Sequence, residues 1–410
     1  MKTPRRTVLG AALAMPFGAR AQGRARVLVV GGGFGGATCA RALHRAGVNV
    51  TLIEPATEYW SCPFSNPVIA GLRDRAAQRF TYDGLRAAGV PIIAARATAF
   101  DPVARTVRVG DTDQPYDRLV LSPGVDMNEA ALPGYSAALA EQYPHAWKGS
   151  AQNMLLQKQL EAMPDGGTVV MSVPPNPYRC PPGPYERASL IAHYLKTHKP
   201  RSKLLVLDAK DAFSKQKLFQ AAWAELYPGI LEWVGLSAGG RVTAIDPDGT
   251  LQTEFGSHRG DVVNPIPPQR AAAVATPVAD RTGWCPVDPI SFESRLAPGV
   301  HVIGDAAMMG AMPKSAFAAG AQGKVCADAI VALLAGQPPE TPRLINTCYS
   351  MVAPGYGISV AGVYRPVNGQ LVDIEGAGGT SPLEAPPEVR AQEAAYAEEW
   401  YRTATAEAFG

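Results

Sequence analysis

The sequence predicts an α/β protein of two βαβ units with parallel sheets, followed by a C-terminal α+β domain, and three observations carry that prediction. Residues 26–54 read as strand, glycine turn, helix and strand: ARVLVV, GGGFGG, ATCARALHRAG and VNVTLIE. The same order, without the glycines, recurs as TVVMSV (168–173), YERASLIAHYLKTH (185–198) and KLLVLDA (203–209). Residues 336–410 abandon that rhythm for proline, glycine and a charged final stretch. A chain of 410 residues is long enough for two or three domains of ordinary size.

Between the units, residues 90–124 show short alternating strands with turn residues, ending in RLVLSPG. Beyond the second unit, strand-like VVNPIPP leads through GWCPVD and VHVIGDA to a helix beginning near Ser315. That stretch is expected to return to the first domain. The predicted division is therefore 25–135 with 257–330 as the first domain, 136–256 as the second and 331–410 as the third.

A hydrophobic content of 47% beside 18% charged residues is an ordinary globular balance, which excludes wholesale disorder and a coiled coil. Residues 1–21, MKTPRRTVLGAALAMPFGARA, set Arg5 and Arg6 ahead of a short apolar run that ends at Ala19, Arg20 and Ala21. This is the pattern of a twin-arginine export signal, and it predicts a periplasmic protein exported already folded. The run from Val8 to Phe17 is about half the roughly 20 residues that span a membrane, so cleavage is expected and an integral membrane protein is not. Removing residues 1–21 takes away Lys2, Arg5, Arg6 and Arg20 and no carboxylate, which moves the formal charge from +2 to −2. A nearly neutral chain argues against nucleic acid as a partner. Export in the folded state suits a protein that acquires a cofactor before it leaves the cytoplasm.

The first glycine turn carries the first sign of chemistry. Gly31, Gly33 and Gly36 form GxGxxG directly between a strand and a helix, and Glu54 closes the next strand 23 residues after Gly31. Glycines there let backbone N–H groups and the helix N-terminus approach a pyrophosphate, while a carboxylate such as Glu54 accepts from ribose hydroxyls. The motif alone does not separate FAD from NAD. The sequence VHVIGDAAM resembles the strand ending in Gly-Asp of two-domain flavoproteins, which implies FAD with Asp305 on its ribityl chain. The helix from Ser315 would then aim its positive end at the flavin pyrimidine. In the second unit the corresponding turn reads VPPNPYRCPPGPYE (173–186), where proline replaces glycine and removes N–H donors. The phosphate cradle is missing, so NAD(P)H is not the expected electron donor, and Cys180 stands in the loop that would face the flavin.

The chain resembles the flavoprotein subunit of flavocytochrome c sulfide dehydrogenase across essentially all of residues 25–410. The resemblance rests on VVGGGFGG, YWSCPFSNPVIAG (59–71), RCPPGPYERAS (179–189), GWCPVD (283–288), VIGDA with MPKSAF (302–317) and NTCYSMVAPGYGISV (346–360). It implies a glutathione-reductase-like fold with two dinucleotide-binding domains. It implies also that Cys62 joins the flavin 8α-methyl carbon through a thioether, the alternative being a loop thiol beside non-covalent FAD. Cys180 and Cys348 match the family's redox-active disulfide, where sulfide would enter and pass two electrons to the flavin; a purely structural disulfide is the competing role. Glu186 matches either an acid or base for sulfide protons or a first-turn helix carboxylate. Lys314 falls either near the flavin pyrimidine edge or in solvent.

No CxxCH occurs, so this chain attaches no c-type haem itself, and the resemblance implies a separate c-type cytochrome subunit as electron acceptor. Three other functions remain open on the sequence: a flavoprotein of a thiosulfate-oxidising system, a sulfide:quinone oxidoreductase, and a non-catalytic FAD-containing partner. Cys39 and Cys326 fall in apolar helices and read as core. Cys285 has no evident chemical role, and the six histidines lack metal-ligand spacing.

Overall fold

The computed structural model describes residues 25–149 and 151–410, so the export signal predicted at 1–21 lies outside the described residues. Strand β1 (Arg26–Val30) is buried at four of its five positions, as a strand covered on both faces must be. It runs through the glycine turn into helix α1 (Phe34–Arg45) and then into β2 (Asn49–Ile53), which lies parallel to β1. The short β3 (Ile92–Ile93) pairs with β2, and β4 (Arg118–Leu121) pairs with β1 on its other side. Between them the antiparallel strands Ala97–Asp101, Thr106–Val109 and Thr112–Pro115 form the meander that the alternating pattern predicts.

The second unit repeats this plan. Strand β5 (Thr168–Val173), helix α2 (Gly183–His198) and β6 (Lys203–Asp208) are followed by α3 (Gln216–Leu226) and β7 (Leu231–Val234), parallel to β6. Three short antiparallel strands between 242 and 258 supply its own meander.

The predicted domain boundary at 256/257 needs correction. Strand β8 (Val262–Pro265) pairs in parallel with β5, so VVNPIPP completes the second sheet and the chain crosses back only at Gln269–Ala271. The outbound crossing also comes earlier than 135: Leu132, Tyr135 and Ala140 pack with Val170, Leu207 and Val263 on the second domain. The cause is physical. An apolar strand belongs to whichever sheet it pairs with, and VVNP carries no local mark of its partner.

After the crossing, β9 (Val300–Val302) adds to β4 and completes a five-stranded parallel sheet in the order β9-β4-β1-β2-β3. Helix α4 (Ala316–Leu334) is, among the described residues, the one helix long and apolar enough to cross a membrane. It lies against α1, however, so closely that a Cβ on Gly323 would stand 2.5 Å from the Gly35 carbonyl oxygen. The third domain is an antiparallel sheet of β10 (Leu344–Ala353), β11 (Tyr356–Val367) and β12 (Gln370–Asp373), closed by helix α5 (Pro387–Phe409). Helix α5 turns Ala394, Ala397, Tyr401 and Phe409 inward, and the Phe409 ring stacks on Tyr59 and Phe80 of the first domain at 4.8 and 5.3 Å between centroids. The aromatic residues of the charged C-terminal segment thus clamp the third domain onto the first.

Candidate active site

The three domains enclose a cavity of about 410 Å³. Helix α1 begins at its edge: Gly31, Gly33 and the first turn line it, and Gly31 holds φ +99°, a conformation open to glycine. A Cβ on Gly31 would meet the Ser122 carbonyl oxygen at 2.3 Å, and one on Gly36 would meet the Gly31 oxygen at 1.9 Å, so two of the three glycines serve backbone approach. Gly33 has room for a Cβ, with Tyr59 3.6 Å away. Glu54 accepts from the Gly32 and Ala56 N–H groups at 2.8 and 2.9 Å, so its carboxylate braces the glycine turn as well as facing the cavity.

The opposite wall comes from β9 and α4. Asp305 lines the cavity; its Oδ1 is buried without a hydrogen-bond partner and its Oδ2 lies 3.8 Å from the Arg179 guanidinium. Burial pushes its carboxyl above the ordinary range, while Arg179 and Lys314 oppose the rise. An orphaned carboxylate oxygen aimed into a cavity wants a hydroxyl donor. Ser315 caps α4 by accepting from the Ala318 N–H at 3.0 Å, and the first turn of α4 presents Ala316, Phe317 and Ala319 to the cavity. The glycine turn, the free Asp305 oxygen and the N-termini of α1 and α4 fit FAD, which the glycines would hold by its pyrophosphate and Asp305 by a ribityl hydroxyl.

Cys62, Cys180 and Cys348 line this one cavity, although 168 residues separate the last two. Cys180 sits in the proline loop before α2 at φ +60°, and its N–H donates to the Lys314 carbonyl at 2.7 Å. Cys348 is on β10. Both are free thiols here, each interacting electrostatically with the Glu186 carboxylate, and not the disulfide that the resemblance implies; a redox-active pair passes through both states. Burial pushes both thiols up. Cys62 lines the cavity with Trp60, Pro63 and Phe64, its sulfur 3.9 Å from the Trp147 carbonyl.

Glu186, in the first turn of α2, does not cap its helix. Its oxygens accept from the Met351 N–H at 2.8 Å and the Asn66 amide at 2.7 Å, and burial raises its pKa. Lys314 is excluded from one of its two expected places, the solvent. It is buried beneath the Asp305 loop, donating to the Asp305 and Ala307 carbonyls at 2.8 and 2.7 Å with its charge 3.9 Å from the centre of the Trp284 ring. Lys314 therefore positions the loop that presents Asp305.

Sequence reasoning missed three polar residues. Arg179 spans the cavity wall between Asp305 and the Trp147 carbonyl. Lys215, at φ +62° before α3, donates to the Cys348 carbonyl, the Ser350 hydroxyl and the Ile358 carbonyl at 2.8, 2.7 and 3.3 Å. Asn346 donates to the Cys348 sulfur at 3.2 Å. Arg179 and Asn346 stand inside the quoted motifs RCPPG and NTCYS, which is the signal that pointed to them; nothing local marked Lys215. Cys39, Cys285 and Cys326 are fully buried core residues.

The equivalent site in the second domain is filled. Asp208, at the end of β6 where Glu54 stands in the first unit, is completely buried and accepts from Tyr185, Trp233 and Lys210 at 2.7, 3.0 and 2.6 Å. Tyr185 stacks on Phe213 with 3.6 Å between ring centroids.

Comparison with known proteins bears on the family and the fold. A family model for the central part of the sulfide dehydrogenase [flavocytochrome c] flavoprotein chain matches residues 153–267, and one for the flavin-binding part of flavocytochrome c sulphide dehydrogenase matches 340–409. A pyridine nucleotide-disulphide oxidoreductase model matches 25–162. The flavoprotein chain of sulfide dehydrogenase [flavocytochrome c] from Chlorobaculum thiosulfatiphilum is 54% identical over 48 residues, 11% of this chain and 100% of that sequence. Mitochondrial sulfide:quinone oxidoreductase of Mus musculus is 25% identical over 331 residues, 76% of this chain and 72% of that one. Among solved structures, the sulfide:quinone oxidoreductase of Aquifex aeolicus superposes with a TM-score of 0.68 at 17% identity, covering 93% of this chain and 92% of that one, and shares the fold. By sequence, fold and site together, this chain belongs to the flavoprotein chains of flavocytochrome c sulfide dehydrogenase, a family of FAD-dependent sulfide oxidoreductases.

Proposed function

We propose that this chain oxidises sulfide to sulfur or polysulfide at Cys180 and Cys348, holds FAD covalently through Cys62, and passes the electrons to a c-type cytochrome subunit in the periplasm. The observation that carries the reading is the meeting of Cys180 and Cys348, from different domains, in the cavity that also holds Cys62 and Asp305. FAD, when bound, takes an electron pair and releases it one electron at a time. The chain's own residues do the rest. Glu186, buried beside both thiols, is placed to take the sulfide proton. Arg179 and Lys314 hold the Asp305 loop, and Trp147, Phe317 and Trp400 wall the cavity against water. The periplasmic address rests on Arg5 and Arg6 in the first 21 residues.

A cytochrome fits better than a quinone as acceptor. Both specific family matches are to flavocytochrome chains, and α5 turns its apolar residues onto its own protein, where a quinone enzyme needs an apolar surface for the membrane. The test is anaerobic sulfide titration of the purified holoprotein, followed by reduction of added cytochrome c. Sulfide should bleach the flavin, and Cys180→Ser and Cys348→Ser should each lower the rate by two or more orders of magnitude; sulfide oxidation undiminished in either variant would sink the reading. Acid denaturation should leave the flavin on the wild type and release it from Cys62→Ser.

A further inference from the structure

We infer that sulfide attacks the Cys180 sulfur and that Cys348 is the sulfur that leaves, a direction imposed by Asn346 and Lys215. The inference rests on the sulfide-oxidising reading above and names which half of the pair receives the substrate. In thiol–disulfide exchange the sulfur better able to carry negative charge leaves faster, and the two sulfurs here are not equivalent.

Cys348 has a hydrogen-bond donor. The Asn346 amide nitrogen lies 3.2 Å from its Sγ, and the amide oxygen accepts from the Ser315 hydroxyl at 2.5 Å. The Ser315 oxygen also accepts from the Ala318 N–H at 3.0 Å as the α4 cap. Cys348 also has a cation. Lys215 is buried against the Cys348 carbonyl with no carboxylate in contact, and its charge acts on Cys348 more strongly than on Glu186, Cys180 or Glu393.

Cys180 has neither advantage. Among the described residues no donor reaches its Sγ, and Glu186, which disfavours a thiolate, is its strongest charged neighbour; Arg179 and Lys215 oppose that more weakly. Its sulfur does touch the start of α2, at 2.9 Å from where a Gly183 Cβ would stand, but Glu186 in that same turn offsets the helix dipole. Burial and Glu186 lift the Cys180 thiol far above its ordinary range; at Cys348, Asn346, Lys215 and Ser315 work against burial.

The step balances. HS⁻ gives its electron pair to Cys180, the Cys180–Cys348 bond breaks, and its pair leaves on Cys348, so a Cys180 persulfide and a Cys348 thiolate form. A second HS⁻ attacks the outer persulfide sulfur, releasing HSS⁻ and leaving a Cys180 thiol. That thiol and the Cys348 thiolate then re-form their bond, giving two electrons and one proton to FAD.

The test treats oxidised holoprotein anaerobically with a single equivalent of sulfide or, separately, of 2-mercaptoethanol. Alkylation quenches the reaction, and peptide masses locate the added sulfur. Both nucleophiles are expected on Cys180, with the alkyl group on Cys348, by about tenfold or more. Mercaptoethanol on Cys348, or shared evenly, overturns the assignment. Mercaptoethanol on Cys180 with sulfide on neither cysteine leaves the assignment standing and overturns the sulfide reading instead. In reduced protein, Asn346→Ala should raise the pH midpoint of Cys348 alkylation by roughly one unit, the size of a lost charged hydrogen bond. Lys215→Met should move it the same way. If neither variant moves it, the roles of Asn346 and Lys215 fall.

Discussion

Glu186 is buried with one oxygen on the Met351 N–H and the other on the Asn66 amide, and burial lifts its pKa above the usual carboxylate range. A base works only when ionised, so flavin reduction by sulfide should lose rate as pH falls through that raised value, higher than an ordinary glutamate would give. Glu186→Gln should slow the reaction by roughly a hundredfold and abolish that acid limb; a limb that survives unchanged would belong to the sulfide itself. Stopped-flow traces at graded pH read both. At this scale the sequence was legible wherever a motif placed a residue at the cavity: Gly31, Gly33, Glu54, Cys62, Asp305, Cys180 and Cys348 all line it. It was opaque where a side chain answers to main-chain carbonyls. Lys314 and Lys215 both do so, and their partners exist only after three domains have met. The left-handed conformations of Cys180 and Lys215 have the same origin, since tertiary contacts hold them there.

Helices α1 and α4 bring their N-termini to the cavity because glycines let them touch. A Cβ on Gly323 would stand 2.5 Å from the Gly35 oxygen and 3.2 Å from the Cys39 nitrogen, both backbone atoms that can yield only if the helices separate. Gly323→Val should therefore cost about 3 kcal/mol or more and lower FAD content, because the first turn of α1 moves with the helix. Gly320, one turn earlier with nothing within 4 Å of its Cβ, gives the contrast: Gly320→Ala should stabilise by up to about 1 kcal/mol through helix propensity alone. Thermal unfolding of the two variants, with flavin absorbance, checks the pair; equal effects would deny the close packing its part. Both βαβ units, the meander over 90–124 and the helix at Ser315 were readable, because each shows its own period and punctuation. Strand β8 was misassigned because parallel pairing joins residues almost a hundred positions apart, Val169 to Val262, with no turn between them to announce it. Helix α5 read as a charged tail because its inward residues include three alanines, an arginine and a threonine, and Phe409 finds its aromatic partners only in the first domain.

At the scale of the whole molecule, two units of one architecture have opposite uses, and the difference decides where electrons enter. The first keeps its glycine turn and an open cavity. The second has proline in the turn and has turned its acidic residue inward: Asp208 is held by Tyr185, Trp233 and Lys210, with the Tyr185 and Phe213 rings stacked alongside. A nicotinamide nucleotide would have to break the four hydrogen bonds to a fully buried carboxylate and displace a packed aromatic cluster, and it would find no cradle of N–H groups for its phosphates. Against that the loop offers Cys180, so the surface that would present nicotinamide to a flavin presents a sulfur. NADH and NADPH at millimolar concentration should leave the anaerobic flavin spectrum unchanged, while sulfide bleaches it within the same cuvette. Returning glycines to 174–182 should not restore NADH reduction, because Asp208 and the aromatic cluster remain; only a variant that also removes the Tyr185 and Phe213 rings could open the site. Reduction of the unaltered protein by NADH would mean that the cluster opens, and that electrons can reach the flavin without passing through Cys180 and Cys348.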